Sequence, residues 1–208
     1  MSSTNRSLCR KDEDMLTRRA FVAAAAASSV VPVLPLSAQT APKISKALLG
    51  DDGMYHFDWY TESFNDLAED VTTAAEKKRR LAVIWSQKGC IYCKRMALEH
   101  FVDPAIVGYV RKHFDVVHMN LFGSKEITDF DGKKYSEKAY ARAYGIRLTP
   151  TIQFFPQSAD GLGSKPPMKR EVARMPGLLE PKQFLAMFRF VQERAYEKSS
   201  FNEWLKKT

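Results

Sequence analysis

Apolar residues at Phe64, Leu67, Val71, Ala74 and Ala75 recur at the three-and-four spacing of one helix face. They predict a helix from Glu62 to Arg80. The unbroken apolar run Leu81 to Trp85 reads as a buried strand, ended by Gln87-Lys88-Gly89. Cys90 opens a second helical stretch to about Phe101. Asp103-Pro104 starts a third, running towards Val110 and His113, with the aspartate as cap and the proline where a missing N–H costs nothing. Val116 to Leu121 reads as a strand and Phe130-Asp131-Gly132-Lys133 as a turn. Ser136 with Glu137 opens a short helix that Gly145 closes as a left-handed cap. Thr151 to Phe155 is expected as a strand, 157–167 as a Gly/Pro/Ser-rich loop, Lys169 to Ala173 as a further strand, and Pro176-Gly177 as a turn. A stripe of Phe184, Met187, Phe188 and Val191 predicts a closing helix from Glu180 to Trp204. Strands and helices in this alternation predict an α/β fold with one central sheet and helices on both faces. No repeat and no second domain is visible.

Upstream the pattern changes. Arg18 and Arg19 precede an uncharged stretch rich in Ala, Val, Leu, Ser and Pro from Ala20 to Ala41. Ser28, Ser29, Pro32 and Pro35 interrupt it, whereas a membrane helix needs about 20 consecutive apolar residues. Paired arginines before a modest apolar stretch look like a twin-arginine export signal, cleaved after Ala38 or Ala41. An uncleaved apolar anchor is the other reading. Asp12, Glu13 and Asp14 are unusual in a basic signal head, so Met15 is a second candidate start. The expected organisation is a signal and linker over 1–41 and one domain over 42–208. That places the protein in a bacterial periplasm.

Composition narrows the class. With 208 residues, 45% hydrophobic and 12% aromatic, the chain can bury a real core and is not disordered. Its formal net charge is +8. The longest basic run, Lys77-Lys78-Arg79-Arg80, falls at the end of a predicted helix, where cations suit the macrodipole. The charge therefore reads as solubility, with no nucleic-acid partner expected. Three cysteines are too few for a disulfide scaffold, and Cys9 leaves with the signal.

The two that remain carry the chemistry. Cys90-Ile91-Tyr92-Cys93 follows a strand and begins a helix, and the i, i+3 spacing places both sulfurs on one face, close enough to bridge. Free N–H groups at a helix start, with Lys88 and Lys94 nearby, favour a thiolate on Cys90. Cys93, further in, would be the resolving thiol. A structural disulfide is weaker, because so small a loop constrains little of the unfolded chain. A zinc site lacks a second cysteine pair. Copper(I) held by Cys90, Cys93 and His100 is a binding-protein alternative. No cofactor and no resident metal is expected. Proline before a core strand at Thr149-Pro150-Thr151 needs a special turn. A cis bond there would present the Thr149 backbone beside the cysteines, to pair with an extended substrate. An ordinary trans proline is the bland reading. Tyr92, between the cysteines, is expected to be partly exposed and to touch substrate. The Asp129 to Lys134 turn is expected to be a solvated loop, and His56, His113 and His118 to be surface or packing residues.

The strand Leu81 to Trp85, the Cys90–Cys93 motif and Thr149-Pro150-Thr151 together resemble the thioredoxin superfamily, over roughly Trp59 to Lys206. Gly89 to Lys94 and Val116 to Gly132 look most like exported thioredoxin-like proteins of the SoxW type. The resemblance implies a thioredoxin fold, a redox-active Cys90–Cys93 disulfide and a cis Pro150. It also implies a periplasmic thiol–disulfide oxidoreductase that acts on a protein thiol or disulfide, with a sulfur-oxidation carrier as candidate substrate. An oxidised periplasm calls for a membrane electron donor, and with no dimerisation segment visible a monomer is expected. The same pair run backwards would be a disulfide-donating oxidase. Ile84 stands where cytosolic thioredoxins carry a buried aspartate, and Thr149 before the proline resembles periplasmic disulfide isomerases.

Overall fold

The computed structural model describes residues 46–208. The expected export signal, Cys9 and the bonds after Ala38 and Ala41 lie outside the described residues. The chain opens with a short antiparallel hairpin, β1 (Leu48–Leu49) and β2 (Tyr55–His56). Helix α1 (Leu67–Glu76), strand β3 (Arg80–Ser86) and helix α2 (Ile91–Arg95) follow. Helix α2 runs on as a π-helical turn, Met96–His100. Next come α3 (Pro104–His113), β4 (Phe114–Asn120) and a second hairpin, β5 (Glu126–Thr128) with β6 (Lys134–Ser136). Helix α4 (Glu137–Ala143), strands β7 (Thr151–Phe154) and β8 (Ala173–Pro176), α5 (Pro181–Gln192) and α6 (Phe201–Leu205) complete the order.

The central sheet has the order β4-β3-β7-β8, with β3 parallel to β4 and the other two pairs antiparallel. All seven residues of β3 are buried, which explains its unbroken apolar run. Alternation then divides its side chains between two cores. Ala82 and Ile84 face α3, α5 and the π turn, against Phe101, Ile106, Phe184 and Phe188. Leu81, Val83 and Trp85 face α1 and α4, against Leu67, Val71 and Tyr140. This is the mixed sheet with helices on both faces that the resemblance implies.

Several boundaries differ from the sequence pattern. The first helix starts only at Leu67, capped by the Asp66 carboxylate, which accepts the Ala68 and Glu69 N–H groups. Phe64 is 91% exposed and lies before it. The basic run does follow the helix end, with Lys77 as C-cap and Lys77 and Lys78 exposed, but not all of it faces solvent. Lys77 and Arg79 pair with the buried carboxylate of Asp115, at 3.1 and 2.9 Å, and the buried Arg80 lies over the Tyr196 ring. The strand expected at Lys169 to Ala173 is displaced to Ala173–Pro176. Arg170, just before it, is held outside the sheet, its guanidinium 2.6 Å from Asp129 and 2.9 Å from Asp131. Asp129 is itself buried, and it also accepts the Tyr144 hydroxyl at 2.6 Å. The turn is therefore anchored by a buried ion pair at its first residue, while residues 131–134 are exposed, as a solvated loop would be. Pro176 ends β8, an edge strand where a missing donor is tolerated. The closing helix breaks after Gln192, where Arg194 takes a left-handed φ of 56°, and restarts at Ser200 with a capping box to Glu203.

Candidate active site

Cys90 occupies the N-cap of α2, with φ −73° and ψ 109°, just beyond the C-terminal end of β3. Gly89 precedes it at φ 75°, a conformation that suits glycine and lets the chain turn from strand into helix. Cys90 and Cys93 are joined as a disulfide, their Cα atoms 5.2 Å apart. The Cys93 N–H donates to Cys90 Sγ at 3.0 Å. When the bond is reduced, that N–H faces the sulfur on which a thiolate would form. Cys93 is buried and Cys90 half-buried, so an incoming group meets Cys90 first. Ile91 and Tyr92, between them, are 73% and 56% exposed.

The Thr149–Pro150 bond is cis, so the trans alternative does not hold here. The Thr149 carbonyl lies 3.5 Å from Cys90 Sγ. No backbone hydrogen bond reaches the Thr149 N–H or C=O among the described residues, which leaves both for an added strand. Thr151 Oγ1 donates to the Leu148 carbonyl at 2.8 Å, and the Gly177 N–H to the Pro150 carbonyl at 2.8 Å, fixing the turn from both sides. The structure thus brings Cys90, Cys93, Thr149 and Pro150 into one site, with Tyr92 projecting at its rim.

Ile84 is fully buried on the face of β3 that packs against the π turn following α2. No acid takes the place of the missing aspartate on that strand. Polar residues gather instead on its other face. Trp85 Nε1 donates to Gln153 Oε1 at 2.8 Å, and Gln153 Nε2 donates to Glu171 Oε2 at 2.8 Å. Glu171 pairs with Arg174 at 2.8 Å, and Arg174 donates to the Tyr144 carbonyl. Burial raises the Glu171 carboxyl, while Arg174 and Gln153 pull it down. This chain of bonds braces the strand that follows Pro150, and residue spacing gave no hint of it because its members lie on four separate segments.

His100 does not join the cysteines. It is buried in the π turn, its Nε2 donates to the Leu179 carbonyl at 2.9 Å and its ring packs edge-on against Phe184. Among the described residues, no group of three or more His, Cys, Asp or Glu side chains could hold a metal ion. His118 is half-buried beside His56 and Tyr60, at ring separations of 5.1 and 5.2 Å. Burial, with His56 nearby, lowers its pKa to about 3.

A cleft of about 350 Å³ opens beside the disulfide. Cys90, Ile91, Cys93 and Met96 form one wall, and Leu49, Met54, Tyr55 and Tyr60 the other. The second wall belongs largely to the β1–β2 hairpin, which the sequence reading missed. Asp52-Gly53 between Leu48-Leu49 and Tyr55 was the available signal for a hairpin turn.

A family model described as a thioredoxin-like domain matches residues 67–192, more than half of the chain. No curated protein matches significantly. Solved structures with a similar trace include a thioredoxin-fold protein from Helicobacter pylori, 23% identical, with a TM-score of 0.49 over 68% of this chain and 88% of that one. A thioredoxin from Thermus thermophilus is 22% identical, with a TM-score of 0.46 over 61% and 83% of the two chains. A protein titled DsbH oxidoreductase is 11% identical, with a TM-score of 0.42 over 63% and 84%.

Proposed function

This chain belongs to the thioredoxin-like domain family, and from that premise we propose that it is a thiol–disulfide oxidoreductase working through Cys90 and Cys93. The observation that carries the reading is the half-exposed Cys90 at a helix N-cap, bonded to Cys93 and receiving its N–H at 3.0 Å. In the reducing direction the Cys90 thiolate attacks one sulfur of a target disulfide. The other target sulfur leaves as a thiolate and takes up a proton. Cys93, as a thiolate, then attacks Cys90 Sγ, freeing the target cysteine and closing the Cys90–Cys93 bond. Two electrons pass to the target. A polypeptide target would pair with the free Thr149 backbone groups and lie across Pro150 and Tyr92.

The finer reading places this chemistry in a bacterial periplasm, after twin-arginine export, in a monomer of the SoxW type. Its target would be a cysteine of a sulfur-oxidation carrier protein, held as a disulfide or bonded to sulfur. A membrane dithiol donor would return Cys90 and Cys93 to the reduced state, since the glutathione pool does not serve that compartment. The Arg18-Arg19 signal and the Gly89 to Lys94 stretch support it.

The test is turnover of insulin disulfides by the cysteine variants, with the reduction potential of the pair. Cys90→Ser is expected to abolish reduction, and Cys93→Ser to accumulate a trapped mixed disulfide. Full activity in Cys90→Ser would overturn the assignment. A potential near about −270 mV supports reduction, and one near about −120 mV keeps the site but reverses the electron flow.

A further inference from the structure

We propose, resting on the oxidoreductase reading, that the cleft beside Cys90 is a specificity subsite of the active centre. It receives an apolar side chain that flanks the target cysteine of a polypeptide, with a neighbouring carboxylate reaching Lys88 and Lys94.

Position comes first. The cleft is walled by both cysteines, yet Leu148, Thr149 and Pro150 do not line it. The disulfide therefore has two flanks, the Thr149 backbone on one and the cleft on the other. A chain bonded to Cys90 and paired with Thr149 reaches the cleft within a residue or two of its cysteine, at about 3.3 Å per residue.

Chemistry selects the occupant. Leu49, Met54, Ile91 and Met96 make the lining apolar, and no carboxylate contributes to it. Lys88 and Lys94 also line it, and neither has a carboxylate partner among the described residues. An apolar group beside an anion is the complement of that lining.

The wall is built, which makes it a site and not a loose arm. Met54 and Phe57 are buried in the domain. His56 is pinned between Asp52, at 2.9 Å, and the ring of His118. Gly53 turns the hairpin at φ 73°, and a Cβ there would fall 2.6 Å from Lys88 Cγ. Glycine at this position thus permits both the turn and the path of the lysine stem across it. All of these hairpin residues precede residue 67, where the match to the family begins. The hairpin wall thus lies before the matched stretch, while Lys88, Cys90, Ile91, Lys94 and Met96 on the other side lie within it.

The probes are four peptides whose one cysteine is capped by 2-mercaptoethanol as a mixed disulfide, with Leu-Glu, Leu-Lys, Ser-Glu or Ser-Lys beside it. Pre-reduced full-length protein supplies the two electrons, and release of peptide thiol is followed against that from bis(2-hydroxyethyl) disulfide. The Leu-Glu peptide is expected to react at least about tenfold faster than Ser-Lys, the ratio for withdrawing one leucine-sized side chain from water. Leu49→Asp, at a position 63% exposed, should erase the Leu-over-Ser ratio. Lys88→Glu with Lys94→Glu should invert the Glu-over-Lys ratio. Ratios within one variant cancel any common effect on Cys90. Equal rates for all four peptides, with the hydroxyethyl disulfide still reduced through Cys90, would overturn the subsite and leave the oxidoreductase reading standing. No reduction of any probe would overturn both.

Discussion

At the scale of single residues, the site depends on how unequally two identical thiols are placed. Cys90 is a helix cap with its sulfur in reach of substrate, while Cys93 sits one turn deeper and buried. The order of attack, Cys90 first and Cys93 second, follows from access. Tyr92 belongs to the same rim. Its ring is more than half exposed, so Tyr92→Ala should change folding stability by no more than about 0.5 kcal/mol. The ratio of insulin to hydroxyethyl-disulfide reduction rates should nonetheless fall roughly fivefold, which corresponds to about 1 kcal/mol of transition-state contact. An unchanged ratio would remove Tyr92 from the substrate surface. The motif and Pro150 were legible from their neighbours in sequence, because strand, cap and turn signals are local. The Thr149 carbonyl beside Cys90 depended on two segments meeting in space.

At the scale of elements, buried charge sets what each piece can tolerate. Arg170 and Asp129 are nearly inaccessible and tie the β5–β6 hairpin to the segment before β8. Arg170→Ala leaves the Asp129 carboxylate buried without its partner and should cost about 3–5 kcal/mol in chemical denaturation. Removing both charges, in Arg170→Met with Asp129→Asn, should recover much of that loss. Helix α1 carries the opposite case. Asp70 accepts the Ser63 hydroxyl at 2.6 Å, yet burial lifts its pKa from 3.8 to about 6. Its charged form is disfavoured in the fold, so Asp70→Asn should stabilise the protein at pH 7 by on the order of 1 kcal/mol. The gain should vanish as pH falls through about 6 towards 4, because the folded wild type is then protonated at this position. Parallel denaturation curves at pH 7 and 4 check it. Helix caps at Asp103 and Ser136 were readable in sequence because their hydrogen bonds close within three residues. The break after Gln192 was not, because Phe201 and Trp204 continue to pack on Phe190 and so extend the apolar stripe across it.

For the molecule as a whole, His118 links the N-terminal hairpin to the central sheet, and its titration is felt as stability. Its folded pKa of about 3 lies below the ordinary 6.5, since burial outweighs the attraction of Asp52, and His56 and Lys125 add repulsion. The unfolded chain therefore binds a proton that the folded one refuses. Stability contributed here is complete above about pH 6.5 and is lost as pH falls towards 3. The wild-type Tm should drop more steeply between pH 6.5 and 4 than that of His118→Phe, and equal slopes would refute the assignment. Periodicity and capping chemistry were enough to reveal the alternation of strands and helices, the buried central strand and the paired cysteines at a helix mouth, because each follows from contacts among residues close along the chain. The cleft, the Trp85–Gln153–Glu171 brace and the turning of His100 towards Leu179 arose only when distant segments packed together. Burial and pairing across the fold decide which polar groups find partners, and no local pattern of side chains encodes that.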